Sequence, residues 1–200
     1  MAGYMGPQVL TRSDERRRVA GCVDIRNSTG LTRPDYFDWP AHARQQMSRR
    51  DPEAIVFMVG GNDGQHMRAG GRLLTAGSAD WKAEYQRRAT VMMRIYSGNG
   101  RRRVYWVGMP IARSGPLTGI YRVLNSAARE AAKQTTGVVY LDTWTMFTTK
   151  AGRYSDSLPD ETGRVMRMRG TDGIHLNRAG SALLGRRVID LLNADWHVTR

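Results

Sequence analysis

The sequence predicts an α/β domain in which helices cover both faces of a parallel sheet, giving three layers. Short segments rich in Val, Ile, Tyr and Phe alternate with segments whose apolar residues recur every three or four positions, which is typical of strand–helix–strand units. The run Ile55–Val59 is apolar without alternation, as expected for a strand buried on both faces. At 200 residues we expect one domain spanning residues 1–200.

The order of the predicted elements places turn residues after each strand. Strands are predicted at Val19–Ile25, Ala54–Val59, Arg103–Val107 and Val138–Leu141, and helices at Trp81–Tyr96, Leu117–Thr135 and Ala179–Leu192. Ligands of such sheets bind beyond the carboxyl ends of the strands, so we expect a functional site there. The long polar segment Tyr154–Gly170 is interpreted as an excursion that delivers the residues after it to this site.

The net charge of +13 comes from 31 Lys and Arg against 18 Asp and Glu. Nearly all of the cations are arginine, and they are scattered over several predicted elements, as is typical of solvated faces. The charge is compatible with an anionic polymer as partner. A nucleic-acid interface is not predicted, because basic residues are not interleaved with aromatic ones on one surface.

Several classes of site are disfavoured by the sequence. Cys22 is the only cysteine, so it forms no internal disulfide or multi-cysteine zinc site, and we interpret it as a small buried apolar residue. The four histidines lack metal-ligand spacing, and no Gly-x-Gly-x-x-Gly motif follows a strand. We therefore expect neither a metal nor a cofactor.

The start of the chain carries neither the basic region nor the apolar stretch of a signal peptide, and no apolar run is long enough to span a membrane. The sequence therefore predicts no membrane span. It leaves the compartment open, including export to the cell envelope if a segment precedes Met1.

The motif Asp172-Gly173-Ile174-His175 places a carboxylate three residues before a histidine. Histidine titrates at about pH 6.5 when unperturbed, so it can act as a general base near neutral pH. A neighbouring carboxylate fixes its tautomer and stabilises the imidazolium that forms. By itself such a motif is more often structural than catalytic.

Two further loops carry candidate oxyanion donors. Asn62, in Gly60-Gly61-Asn62-Asp63, follows a predicted buried strand, where its amide could face developing negative charge. Gly30 lies in the loop Asn27–Leu31 and could offer a backbone N–H group. Ser28 in that loop is a weak candidate nucleophile, because no Gly-x-Ser-x-Gly elbow surrounds it.

Taken together and in this order, the glycine after an early strand, the Gly-x-Asn-Asp block and the Asp-x-x-His block resemble the SGNH (GDSL-type) hydrolases. The resemblance is greatest to a bacterial branch long labelled a domain of unknown function, and it covers nearly the whole chain. It implies a flavodoxin-like α/β/α fold. It also implies that Asp172 and His175 are catalytic and that Gly30 and Asn62 form the oxyanion hole.

One block of that family has no counterpart in the sequence. The family carries its nucleophile in Gly-Asp-Ser at the end of the first strand, whereas this chain begins Met1–Gly6, which is similar to the residues after that serine in relatives. We therefore expect the serine directly upstream of Met1. We also expect the first, interior strand to be missing, which would leave its two neighbours unpaired. A relative that truly lacks the serine is the alternative.

The resemblance implies a serine esterase acting on O-acyl esters of a carbohydrate, lipid or other small molecule, and the chain as printed is expected to be nearly inactive. The competing hypothesis is a non-catalytic SGNH-like module that binds an anionic polysaccharide or another partner. Arg113, Arg167 and Arg169 lie in loops near the predicted site, and we interpret them as solvated loop arginines.

Overall fold

The computed structural model describes residues 8–11, 20–23 and 30–196. In chain order the elements are β1 (Gln8–Thr11), β2 (Ala20–Val23), α1 (Trp39–Arg50), β3 (Ala54–Met58), β4 (Met67–Ala69), β5 (Arg72–Leu74), α2 (Ala79–Ser97), β6 (Arg103–Val107), α3 (Gly115–Lys133), β7 (Val138–Leu141), a 3-10 turn (Thr145–Phe147), β8 (Ser157–Pro159), β9 (Val165–Arg167) and α4 (Arg178–Trp196). The five-stranded sheet has the order β2-β1-β3-β6-β7. Strands β3, β6 and β7 are parallel, whereas β1 is antiparallel to both of its neighbours.

The family resemblance led us to expect that the first, interior strand of the sheet is missing, and the sequence did not predict β1. In the structure β1 lies between β2 and β3 and pairs with both. Only residues 12–19 connect β1 to β2, and a connection this short joins antiparallel strands, because a parallel pair needs a longer crossover. The four predicted strands are confirmed as β2, β3, β6 and β7.

The sheet has an apolar core on each face, because successive side chains of a strand point to opposite faces. On one face Ile55, Phe57 and Trp106 pack with buried residues of α1, α2 and α3. On the other face Tyr105 and Val107 pack with buried residues of α4. The predicted three-layer α/β fold with parallel strands is therefore confirmed.

Helix α1 was also absent from the sequence prediction, because its sequence is mostly polar. Its buried residues are Trp39, Ala43 and Met47, which recur every fourth position and face the core. The Asp38 side chain caps its first turn by accepting a hydrogen bond from the Ala41 N–H group at 2.9 Å.

Two small hairpins, β4–β5 and β8–β9, extend from the sheet. The β8–β9 hairpin occupies the predicted excursion Tyr154–Gly170 and leads directly into the Asp172–His175 turn. None of the helices in the described part of the chain is both long and apolar enough to cross a membrane. The loops that follow β3 and β6 and the Asp172–His175 turn lie next to one another, and together they form the candidate site.

Gly108 directly follows β6 and gives the clearest test of packing at this edge of the sheet. A Cβ atom at Gly108 would lie 2.2 Å from the Tyr140 hydroxyl oxygen and 3.3 Å from the Asn125 side-chain oxygen. We expect Gly108→Ala to lower the free energy of unfolding by about 1–3 kcal/mol, the usual cost of overpacking. Tyr140→Phe removes the nearest atom but keeps the ring carbon Cζ, which lies 2.8 Å from that Cβ atom, so the double variant should regain part of that loss. Denaturant titration of the four proteins tests this, and strictly additive losses would contradict the packing assignment.

Candidate active site

The Asp172–His175 turn connects β9 to α4 and is held together by the Asp172 carboxylate. Its Oδ1 accepts hydrogen bonds from the Ile174 and His175 N–H groups, at 2.8 and 3.0 Å. Its Oδ2 lies 2.5 Å from Nδ1 of His175. Gly173 between them has φ of 70°, a conformation that residues with a side chain rarely adopt. The local sequence therefore brings the predicted carboxylate and histidine into direct contact.

The electrostatics of this pair favour an ionised carboxylate. The hydrogen bond with His175 lowers the pKa of Asp172 to about 2, with help from the two backbone N–H groups and against a smaller effect of desolvation. An ionised carboxylate can only accept hydrogen bonds. Nδ1 of His175 must therefore carry the proton, and Nε2 is the ring nitrogen that would exchange protons with a reacting group.

Two arginines hold the turn against the loop after β6. Arg113 accounts for three contacts: its N–H group donates to the Gly173 carbonyl at 3.0 Å, Nη1 donates to the Thr171 carbonyl at 2.9 Å, and its guanidinium pairs with Asp156 at 2.7 Å. Arg169 donates from Nη1 to the Ile174 carbonyl at 2.8 Å and from Nη2 to the Ile111 carbonyl at 2.7 Å.

The interpretation of these residues as solvated loop arginines is wrong for Arg169, which is only 1% exposed. It packs against the rings of Phe147 and Tyr154, with its guanidinium carbon 5.2 and 5.6 Å from the ring centroids. Arg113 is exposed but paired with Asp156. Arg167 is exposed and makes one long contact with the Gly170 carbonyl, at 3.5 Å. Sequence alone cannot separate these three, because each is an arginine in a polar loop.

Asn62 lies in the exposed loop that follows β3, as the sequence predicted. Gln65 donates from its side chain to the Asn62 carbonyl at 2.7 Å, and the Tyr121 hydroxyl donates to the Gly61 carbonyl at 3.1 Å. A Cβ atom on Gly60, whose φ is 131°, would lie 2.9 Å from the side chain of Met109 in the loop after β6. The two loops are thus in close contact.

Asp63 has no predicted role in the sequence motif, yet it is the most connected residue of this loop. Its side chain is fully buried. Oδ1 accepts hydrogen bonds from the Thr32 N–H group at 2.9 Å and the Thr32 hydroxyl at 3.1 Å, and Oδ2 accepts one from the Tyr85 hydroxyl at 2.9 Å. Burial raises the pKa of Asp63, while the bonds from Thr32 and Tyr85 oppose that rise.

Gly30 lies directly against this carboxylate. A Cβ atom at Gly30 would lie 2.0 Å from Oδ1 of Asp63, so only glycine fits. Asp63 thus joins the loop that carries Gly30 to the loop that carries Asn62. The signal in the sequence was the Asn-Asp pair itself, but nothing in the sequence shows which donors would meet the second residue of that pair.

The structure brings the four predicted site residues together as two pairs, Asp172 with His175 and the Gly30 loop with the Asn62 loop. The loop after β6 contacts both pairs. Ser28, the weak candidate nucleophile, lies outside the described residues, as do the side chain of Cys22 and the first residues of the chain. Within the described ranges, no group of three or more His, Cys, Asp and Glu side chains is placed to hold a metal ion.

Comparisons with known proteins agree with this fold. The structure of a carbohydrate esterase family 3 from Talaromyces cellulolyticus matches with a TM-score of 0.51 and 19% identity, over 83% of this chain and 69% of that one. A protein from Streptococcus pneumonia, provisionally described as a platelet activating factor, matches with a TM-score of 0.52 and 15% identity, over 76% of this chain and 67% of that one. None of the curated proteins matches the sequence.

Sequence similarity assigns the chain to a family. The model of the family described as "Protein of unknown function (DUF459)" matches residues 1–191, which is almost the entire chain. This match agrees with the resemblance to a branch labelled a domain of unknown function, and the fold is the α/β fold expected from the sequence. The chain therefore belongs to the DUF459 family.

Proposed function

We propose that this protein is a serine esterase of the SGNH type that hydrolyses O-acyl esters, with O-acylated carbohydrate as the favoured substrate class. The observation that carries the proposal is the Asp172–His175 turn, which the loop after β6 connects to the loops that carry Asn62 and Gly30. A carboxylate bound to Nδ1 of a histidine is the arrangement that prepares Nε2 to act as a base. The shared fold with a protein described as a carbohydrate esterase supports the choice of substrate.

In the proposed mechanism, the nucleophile is the serine of the Gly-Asp-Ser block that the family resemblance implies. His175 removes the proton of that serine as its oxygen attacks the acyl carbon, and then gives the proton to the departing alcohol. Asp172 keeps Nδ1 protonated and stabilises the imidazolium that forms. Water then attacks the acyl-enzyme with the same base, which releases the acid and restores the serine.

The oxyanion formed in each step would be bound by the Asn62 side chain, the Gly30 N–H group and the N–H group of the serine. Such donors stabilise the transition state because they are fixed before the reaction, and losing one costs about 3–4 kcal/mol of barrier. Asp63 supports this arrangement, because its hydrogen bonds fix Thr32 and therefore the position of Gly30. Asp63 itself would be a positioning residue rather than a catalytic one.

A first prediction from this proposal concerns His175. Protein produced with the codons upstream of Met1, including the expected Gly-Asp-Ser, should hydrolyse a short-chain nitrophenyl ester. His175→Ala should lower kcat by about a millionfold, as in other serine hydrolases that lose their base. His42→Ala is the matched control, because His42 packs against Phe37 and Trp39 and should leave the rate nearly unchanged. Full activity of His175→Ala would refute the esterase assignment, and an inactive extended protein would favour the non-catalytic binding module.

The second prediction uses the acidity of Asp172. Its pKa is about 2 in the folded protein against an ordinary value near 3.8, so its ionised form stabilises the fold above about pH 4. This stabilisation is lost as the pH falls from about 4 towards 2. The melting temperature of Asp172→Asn should therefore lie below that of the unmodified protein at pH 6. The difference should shrink steadily below pH 4. A difference that stays constant down to pH 2 would contradict the Asp172–His175 bond.

The third prediction separates the bonding of Asp63 from its charge. Asp63→Asn keeps an oxygen for both Thr32 bonds and an amide that can donate to Tyr85, so it should retain most of the kcat. Asp63→Leu leaves the Thr32 N–H group and the Tyr85 hydroxyl buried without a partner, at a cost of about 1–3 kcal/mol each. It should lower kcat by about 100-fold, with a smaller effect on KM, because the oxyanion donors are displaced. Equal kcat in the two variants would show that Asp63 does not position the oxyanion hole.

A further inference from the structure

Arg169 is a buried cation whose surroundings are unusual for its charge. Its guanidinium lies among Phe147, Tyr154 and the backbone, and the two carboxylates whose charges act on it, Asp156 and Asp172, are paired with Arg113 and His175. Its Nε is buried and makes no hydrogen bond to the described residues. Burial lowers the pKa of Arg169, while the charges of Tyr154, Asp156 and Asp172 oppose that fall. Removing a guanidinium from water without a directly paired counter-ion costs free energy. We therefore expect the contacts that Arg169 does make to have a structural role.

The Arg169 guanidinium donates hydrogen bonds to two backbone carbonyls, which belong to different parts of the site. Nη1 binds the carbonyl of Ile174, which is the residue directly before His175. Nη2 binds the carbonyl of Ile111, in the loop that leaves β6. The planar guanidinium holds its donors in a fixed geometry, so it sets the distance between these two carbonyls. Ile174 also packs against the core on the α1–α3 face, which restricts the turn from the other side.

Arg113 acts on the opposite half of the same turn. Its bonds reach the carbonyls of Thr171 and Gly173, whereas the Arg169 bond reaches Ile174. Without Arg169, the carbonyl of the peptide that precedes His175 would lose this bond, whereas the N–H group of that peptide would keep its bond to Asp172. The Gly170 N–H group would still donate to the His175 carbonyl at 2.8 Å and close the turn, so the peptide between Ile174 and His175 is the part whose orientation depends on the Arg169 side chain.

We propose that Arg169 is a positioning residue for the histidine base: by binding the carbonyls of Ile174 and Ile111 together, it keeps Nδ1 of His175 on the Asp172 carboxylate. That His175 acts as a base depends on the proposed esterase function. The effect of Arg169 on the position of the His175 ring does not depend on it. The competing explanation is that Arg169 only stabilises the fold. In that case its loss would lower stability without changing the state of the His175 ring.

The experiment measures the ring nitrogens of His175 by NMR in the chain as it is printed, with the resonances assigned through His175→Gln. In the unmodified protein we expect neutral His175 to be protonated at Nδ1, with slow solvent exchange of that proton. Arg169→Met should mix the two neutral tautomers and speed the exchange by about tenfold or more, since a hydrogen bond from a charged group no longer holds the peptide between Ile174 and His175. Arg169→Lys, which can bind only one of the carbonyls firmly, should fall between the two.

Arg102→Met is the matched control. Arg102 is also a buried arginine and lies immediately before β6, at the end of that strand far from Ile111, where it pairs with Asp51. Its replacement should lower the melting temperature and leave the His175 signals unchanged. A folded Arg169→Met protein with unchanged tautomer and exchange would overturn the proposal. If Arg169→Met does not fold, unchanged His175 signals in Arg169→Lys would overturn it equally. Because no step uses ester hydrolysis, failure of the esterase assay would leave this result standing.

Discussion

The buried carboxylate of Asp63 is the constraint on which the rest of the site depends. A carboxylate with no exposed surface must find its hydrogen-bond donors within the protein, because an unpaired buried charge is strongly destabilising. Its donors come from Thr32 and Tyr85, which belong to a loop and a helix distant in sequence. The carboxylate can be satisfied only when β3, α2 and the Gly30 loop are all in place. Formation of this half of the site is therefore coupled to formation of the fold.

Arg88 extends the same constraint. It pairs with Glu84 on its own helix, and it donates to the carbonyls of Leu31 and Arg68, at 2.8 and 2.7 Å. Its charge also opposes the rise in the pKa of Asp63. Leu31 lies between Gly30 and Thr32, and both of these residues contact Asp63. The carbonyl of Leu31 itself is bound by Arg88 of α2. The Gly30 loop lacks regular secondary structure, and its position is fixed by the Asp63 carboxylate and the Arg88 guanidinium.

The other half of the site is built in a different way. The Asp172–His175 pair is formed by local bonds within four residues, and a short turn of this kind is easily distorted unless it is supported. Its support comes from Arg113 and Arg169, which connect it to the loop after β6. The close packing of Gly60 against Met109 then fixes the position of this loop relative to the Asn62 loop. The loop after β6 therefore sets the relation between the base and the oxyanion donors, although the sequence motifs assign it no chemistry.

The difference between local and long-range bonding explains which features the sequence could reveal. Strands β3, β6 and β7 were predictable because each is a short apolar run, and the Asp172–His175 pair because its chemistry lies within four residues. Strand β1 could not be predicted, since its place depends on pairing with β2 and β3. Helix α1 was not predicted because most of its residues are polar, so the sequence pattern does not reveal its buried face. The roles of Asp63 and Arg169 depend on partners more than 30 residues away, such as Thr32 and Ile111.

The difference between local and long-range bonding also affects how the net positive charge of the chain is interpreted. A net charge of +13 suggests a cationic surface, but composition does not show where the guanidinium groups point. Arg88, Arg113 and Arg169 direct donors to backbone carbonyls of the loops around the site. A lysine ammonium is a point charge without a planar fork, so it could not hold two carbonyls at a fixed separation as Arg169 does. At these positions arginine is required by the geometry of the loops. Part of the positive charge therefore serves to hold the site together and need not indicate an anionic partner.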